Sequence, residues 1–331
     1  VMKHSNISVF IPHIGCPNMC SFCNQRVISG KQKAPTAQEV KEICRIAFNE
    51  ISEKSNTEIA FFGGSFTAIP KDYMLELLEA VQEFLSDNGF KGIRISTRPD
   101  CINDEILSVL KEYNVTAIEL GAQSLSDKVL EANERGHNAE DVVSASELIR
   151  KYGFELGLQM MIGLYKSTIE DEYATFEKIL QIKPDTLRIY PVVILKNTRL
   201  AKLYSSGEFI PFAFDDVVEM CAEFLDKAEK NSIKVIKCGL HASEFVENDM
   251  TGGFYHPAFR ELCEGRIYRR EIEKIISESD SYLKISVPTK MLSRAIGQKK
   301  CNTEYFREKG IELRIISDNA QSEYIKILER R

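Results

Sequence analysis

The chain has 331 residues, 44% of them hydrophobic and 28% charged, with a formal net charge of −6 at pH 7. That length and balance suit one large α/β domain with a small appendage. The longest early apolar stretch, 7–14, is interrupted by Pro12 and His13, so neither a signal peptide nor a membrane span is expected, and a cytoplasmic protein is. Nine cysteines, an odd number, read as reduced thiols rather than a disulfide framework, with the six outside the N-terminal cluster acting as small packing residues. Residues 266–331 carry 15 Lys/Arg against 10 Asp/Glu, whereas 1–265 carry 28 against 39. A basic tail on an acidic body points to a polyanionic partner.

In chain order, the first predicted strand is 7–14, and Cys16, Cys20 and Cys23 follow it directly. Thiolates are the ligands of iron–sulfur clusters, and C-x3-C-x2-C supplies three where a four-iron cube has four irons. One iron is then open to a substrate or cofactor. A zinc site is the alternative, but it needs a fourth ligand, and the neighbouring choice, His13, lies on the strand itself. A helix over 37–51 leads to strand 58–62, which runs into Phe61-Phe62-Gly63-Gly64-Ser65-Phe66. A glycine pair at a strand end lets backbone approach a ligand closely.

Further strands are predicted over 92–97, 115–120, 155–162 and 185–193, separated by helices over 71–87, 104–113, 139–152 and 168–181. Such alternation builds a parallel sheet through right-handed crossovers, with chemistry at the C-terminal ends of the strands. Six units are too few for a closed eight-stranded barrel. A helix over 215–230, a strand over 234–239 and a loop containing His241 and His256 are expected to close the open side. The tail reads as helix 269–277, strand 282–287, helix 289–296, a tight turn at 297–300, helix 301–309 and strand 311–316.

The three-cysteine loop resembles the signature of the radical S-adenosylmethionine (SAM) superfamily. Beyond it, Ile95–Asp100, Glu119–Ser124, Glu134–His137, Gln159–Leu164 and Pro184–Pro191 resemble, in order and spacing, the radical SAM domain of the Elongator catalytic subunit. More loosely they resemble oxygen-independent coproporphyrinogen III oxidases. The resemblance spans roughly residues 7–212 and implies a partial (β/α)6 barrel. It also implies a [4Fe-4S] cluster on Cys16, Cys20 and Cys23, whose free iron takes the amino and carboxylate groups of SAM. Gly63, Gly64 and Ser65 would lie at the methionine end of SAM. Ser96, Gln123, Arg135 and Gln159 would fall on its ribose, carboxylate and adenosine parts; a guanidinium suits a carboxylate and amides suit hydroxyls. Asp100 and Glu119 suit a structural role equally well. The chain departs from the family at Gly163-Leu164-Tyr165-Lys166-Ser167, where Gly-Leu-Pro-Gly-Ser is usual. The stretch after residue 265 is too short for the acetyltransferase domain that follows in Elongator, so carboxymethylation is not expected by inheritance.

The tail's helix–Gly297-Gln298-Lys299-Lys300–helix centre resembles the nucleic-acid clamp of KH domains, with Lys300 where a second glycine is usual. Residues 282–316 carry 8 Lys/Arg against 3 acids, and Arg294, Gly297, Gln298, Lys299 and Lys300 are the candidate RNA contacts. The organisation expected is a partial barrel over 1–212, a barrel-closing extension over 213–265 and a small α+β, KH-like module over 266–331. The function expected is radical SAM chemistry on tRNA or another RNA, with flavodoxin or ferredoxin as electron donor and no membrane association. Tyr190 and His256 are the candidate catalytic residues. The alternatives are a radical SAM enzyme acting on a small molecule such as a tetrapyrrole, and a non-catalytic cluster-bearing protein that binds RNA or senses redox state.

Overall fold

The computed structural model describes residues 5–12, 14, 16, 20–24, 27–28, 33–86, 88–241 and 243–331; His13 lies outside them. Strand β1 (Ser5–Ile11) is followed by helix α1 (Ala37–Glu50), β2 (Thr57–Gly63), α2 (Lys71–Glu79), β3 (Gly92–Thr97), α3 (Asp104–Glu112) and β4 (Val115–Gln123). Helices α4 (Asp127–Ala132) and α5 (Ala139–Lys151), β5 (Glu155–Ile162), α6 (Ile169–Ile182) and β6 (Thr186–Pro191) complete the repeat. Helix starts are written in the sequence: Thr36, Asn138 and Thr168 each form a reciprocal capping box with the acid three residues on, Glu39, Asp141 and Asp171. Burial of alternate sheet faces follows the β-branched and aromatic runs, and Ile59, Ile93, Ile118, Leu158 and Ile189 are fully enclosed.

Two boundaries differ from expectation. The helix over 71–87 stops at Glu79 and continues as a tighter turn at Gln82–Phe84. There the Gln82 amide donates to the carbonyls of Leu78 (2.9 Å) and Tyr113 (3.0 Å), tying the helix end to the end of α3. The strand over 185–193 divides, because Val192 bonds both ways, its N–H to Ile162 and its carbonyl to the Phe254 N–H. The chain then leaves the sheet as β7 (Val193–Leu195).

After α7 (Arg199–Ser205) and α8 (Phe214–Lys230), β8 (Lys234–Cys238) joins the sheet beside β6. The sheet therefore has seven parallel strands, in the order β1-β2-β3-β4-β5-β6-β8, one more than the six-unit reading. Helix α8 buries Val217, Cys221, Phe224 and Ala228 against it, and Phe224 stacks on Phe176 of α6 at 4.1 Å. The sheet's edges, β1 and β8, do not pair with each other among the described residues. The 241–256 region covers the mouth by packing instead. After α9 (Glu244–Asp249), β9 (Met250–Gly253) pairs antiparallel with β7, and Val193, Leu195 and Val246 pack with Val27 and Ile28 of the cluster loop.

Helix α10 (Phe259–Ile275) runs unbroken from this extension into the tail, beginning ten residues before the predicted tail helix. Gly265 hides its helical character in the sequence, and its missing side chain has a use: a Cβ there would sit 3.4 Å from the Gly297 backbone. The tail is a three-stranded sheet with β10 (Tyr282–Pro288) at its centre. Helices α11 (Leu292–Ile296) and α12 (Cys301–Glu308) connect it to β11 (Glu312–Asp318), which is parallel, and β12 (Lys326–Arg330) lies antiparallel on its other side. Ile272, Leu283, Ile285, Phe306 and Leu313 form its own core.

Candidate active site

The C-terminal ends of the strands open into one cavity of about 530 Å3. Its wall includes Cys16, Cys20, Cys23, Gly63, Gly64, Ser65, Ser96, Gln123, Arg135, Gln159 and Tyr190. All ten residues expected to hold cluster and SAM thus face the same space, as does one of the two candidate catalytic residues. His256 is elsewhere: its Nδ1 accepts the Ala258 N–H at 3.0 Å at the start of α10.

The three cysteines are partly exposed and form no disulfide. Among the described residues no group of three or more His, Cys, Asp or Glu stands arranged to hold a metal ion. Arg135 ties the loop to the barrel: one terminal nitrogen donates to Cys20 Sγ at 2.9 Å and the other to the Gly121 carbonyl at 2.6 Å. The loop is further anchored where the Ser21 hydroxyl donates to Asn133 Oδ1 at 2.6 Å and the Leu200 N–H donates to the Ser21 carbonyl at 2.7 Å.

The glycine pair is demanded by the chain itself. A Cβ on Gly64 would stand 2.1 Å from the Ile14 carbonyl oxygen, and one on Gly63, whose φ is +110°, would stand 2.7 Å from that of Ile11. The pair thereby lets β2 end against the start of the cysteine loop. Gln123 closes β4 in the left-handed region, φ +65°, where the register with β5 shifts. Its side-chain oxygen and the Nε of Arg135 are buried without hydrogen-bond partners in the protein. Unmatched polar atoms of this kind are costly unless a ligand meets them. Three thiols on one wall, a guanidinium at one of them and two orphaned polar atoms on cavity-lining residues fit an iron–sulfur cluster with a polar zwitterionic cofactor.

Beneath the cavity lies a buried charge network that the sequence left open at Glu119. Arg188 grips Glu119 with two bonds, 2.6 and 3.0 Å, and the same carboxylate accepts from Gln159 at 2.9 Å and Arg94 at 3.4 Å. Gln159 also donates to Ser96 Oγ at 3.2 Å, so two expected SAM contacts are oriented by one carboxylate. Gly157 makes room for it, since a Cβ there would stand 2.8 Å from the Glu119 side chain. Arg188 in turn approaches the Tyr190 hydroxyl at 3.5 Å and lies 5.1 Å from the centre of the Phe62 ring. Burial, only partly offset by Arg188, holds the Tyr190 phenol above its ordinary pKa, so it stays protonated. Asp100 pairs with Arg98 in a fork of 2.9 and 2.8 Å, and Arg98 reaches the cavity wall. His137 beside them is kept neutral, its pKa lowered to about 4 by burial and by Arg135.

The departure at Gly163–Ser167 falls outside this cavity. Lys166 takes the left-handed φ, +64°, at the position where the family's second glycine is usual, and the segment lines a separate hollow of about 170 Å3. In the tail, Gly297 (φ +77°), Lys299 (+52°) and Lys300 (+63°) make the tight turn. Lys299 and Lys300 are exposed, whereas Arg294 pairs with Glu264 at 2.8 Å. Arg266 and Arg270 of α10 likewise pair with Asp215 and Glu219 of α8, so part of the tail's positive charge answers the acidity of the body.

A parallel half-barrel with a three-thiol loop after its first strand and a polar mouth defines an enzyme that carries its chemistry at the strand ends. The chain belongs to the radical SAM superfamily: that family's model matches residues 10–179, and a radical SAM C-terminal domain matches 184–269. It is 26% identical over 228 residues to an uncharacterised protein of Methanocaldococcus jannaschii, covering 68% of this chain and 67% of that one. It is 30% identical over 184 residues to the same organism's tRNA uridine(34) acetyltransferase, and 29% over 188 residues to human Elongator complex protein 3. Those matches cover 49% and 51% of this chain but only 34% of each relative. Among solved structures, Elp3 of Methanocaldococcus infernus superposes with a TM-score of 0.65 at 18% identity, over 84% of this chain and 65% of that one. Among the described residues no helix is long and apolar enough to cross a membrane.

Proposed function

We propose that this enzyme binds a [4Fe-4S] cluster through Cys16, Cys20 and Cys23, binds SAM beside it, and modifies RNA, with tRNA the first candidate. The observation that carries the reading is the convergence of the three thiols, Arg135 and the orphaned Gln123 oxygen on one cavity. When bound, cluster and SAM supply a single electron and a 5′-deoxyadenosyl radical that takes a hydrogen atom from substrate. The chain's own part is placement. Arg135 holds the cysteine loop and offers its unpartnered Nε–H to a carboxylate, while Ser96 and Gln159, held by Glu119, offer an oxygen and an amide to hydroxyls. Phe10, Phe62, Met161 and Leu195 on the wall exclude water from the reacting centre. Tyr190, kept protonated, is the candidate hydrogen donor on the cavity wall. A small reduced flavoprotein or ferredoxin is the expected electron source.

The RNA substrate rests on the names of the relatives and on the exposed Lys299–Lys300 turn. Phosphate contacts release counterions, so tRNA affinity should fall steeply with salt. Charge reversal of Lys299 and Lys300 to Glu should weaken tRNA binding at low salt by tenfold or so, about 1.4 kcal/mol, without reducing substrate-free SAM cleavage. Unchanged binding in that variant, or no binding at low salt, rules out the tail as the RNA contact. The ion pairing of Arg266, Arg270 and Arg294 favours a second reading, in which the tail is a structural cap and the substrate is a small molecule.

A further inference from the structure

The cations of the barrel floor are unequally matched. Strand register sets Gln159 beside Arg188 and Arg188 beside Lys237, on one face of the sheet. Arg94 has Glu58 at 2.7 Å and Glu155 at 2.5 Å, and Arg188 has Glu119. Lys237 lines the cavity, and among the described residues no carboxylate lies within ion-pair distance of its ammonium. The titratable groups that act on it are Arg188 and Arg260, which oppose its charge, and the adjacent Cys238 thiol, which favours it more weakly; His241 stands nearby on the same wall. Burial and those two cations hold its pKa below the ordinary lysine value. Arg260 has partners of its own, Glu264 at 2.9 Å and the Val235 carbonyl at 2.8 Å.

A half-buried ammonium among cations and without a counter-ion is costly, and such groups concentrate where a ligand supplies the missing charge. Lys237 is on β8, the edge strand beside β6, and shares the cavity with the three thiols. Met161, Val193 and Leu240 add apolar lining to the same cavity. We propose that Lys237 seats an oxyanion of the substrate, a phosphate or a carboxylate, in the β6–β8 half of the cavity. This rests on the cavity being the reaction site and is independent of the RNA contact in the tail. Lysine suits the task as a point charge that tolerates varied approach, and the neighbouring Arg188 adds to the field while remaining tied to Glu119.

The test uses the full chain with its cluster, kept anaerobic at constant ionic strength with chloride. Brief acetylation with an N-hydroxysuccinimide ester, followed by peptide mass analysis, compares Lys237 with Lys234, an exposed residue of the same strand. Inorganic phosphate should slow acetylation of Lys237 at least threefold and leave Lys234 unchanged; acetate is the parallel arm, and protection by it alone assigns a carboxylate. In a second measurement phosphate or acetate, whichever protects, should raise the thermal midpoint of the wild type and of Lys237→Arg but not of Lys237→Met. Without ligand, Lys237→Met should be at least as stable as the wild type, because it removes an unmatched cation, whereas a structural lysine would cost stability. Equal labelling of Lys237 with and without both anions, or an undiminished anion-dependent shift in Lys237→Met, overturns the proposal. Absence of 5′-deoxyadenosine formation by the wild type would instead sink the radical SAM reading, whatever the anions do.

Discussion

Replacing Glu119 by Gln tests whether the carboxylate under the cavity holds the floor together. Glu119 is 1% exposed and accepts from Arg188, Gln159 and Arg94. With the charge gone, Arg94 keeps Glu58 and Glu155, but Arg188 loses its carboxylate partner and keeps one amide oxygen, the Tyr190 hydroxyl at 3.5 Å and the Phe62 ring. Breaking a buried pair by neutralising one partner costs about 3–5 kcal/mol, mostly from the cation left behind. Glu119→Gln should therefore lose stability in that range, and Arg188→Met alone should lose less, since Arg94 and Gln159 still occupy the carboxylate. The double variant no longer strands a cation, so it should be about 2 kcal/mol more stable than the sum of the single losses predicts. Urea unfolding under anaerobic conditions reads this out by circular dichroism. Additivity within about 0.5 kcal/mol would show that the two side chains are not coupled and that the network is incidental.

Two further substitutions probe the loop and the hollow beside it. Gly64→Val would push a side chain into the Ile14 carbonyl, so it should displace the cysteine loop and lower iron content as well as SAM affinity; iron and sulfide per chain at wild-type levels would contradict that. Glu172, buried and accepting from the Gly163 N–H at 2.8 Å and the Ser167 hydroxyl at 2.7 Å, has its pKa raised from 4.5 to about 7 by burial. The folded state then holds that proton more tightly than the unfolded chain, so its contribution is fully present below pH 4.5 and is lost as pH rises through about 7. The loss amounts to about 3 kcal/mol. Glu172→Gln keeps both acceptor contacts and should flatten this slope, gaining on the wild type between pH 5 and 8 in urea midpoints. A pH-independent difference between the two chains would refute the assignment.

The barrel was legible because its signals are local. Apolar runs mark the strands and helical spacing of apolar residues marks the helices between them. The cysteine spacing and the strand motifs also picked out residues that line one cavity, most of them at or near the ends of β2, β3 and β4. What depended on pairing between distant segments was not legible. Lys237 is an ordinary lysine in sequence, and only the register of β8 against β6 sets it beside Arg188. The same holds for Glu119, whose partners come from three other strands. Arg294 read as a free cation next to a turn until helix α10, extended through Gly265, brought Glu264 to it. The glycine pair at 63–64 was correctly located, but its immediate steric reason is the neighbouring chain at Ile11 and Ile14.

Electron paramagnetic resonance of the anaerobically reconstituted, dithionite-reduced chain, recorded with and without SAM, bears most directly on the central reading. The wild type should show a reduced four-iron cluster whose spectrum changes on adding SAM, because one iron is left open by the three thiolates. Replacing Cys16, Cys20 and Cys23 by Ala should abolish the signal. A full cluster signal in that triple variant, a spectrum indifferent to SAM, or a single tightly bound zinc in place of iron would contradict it.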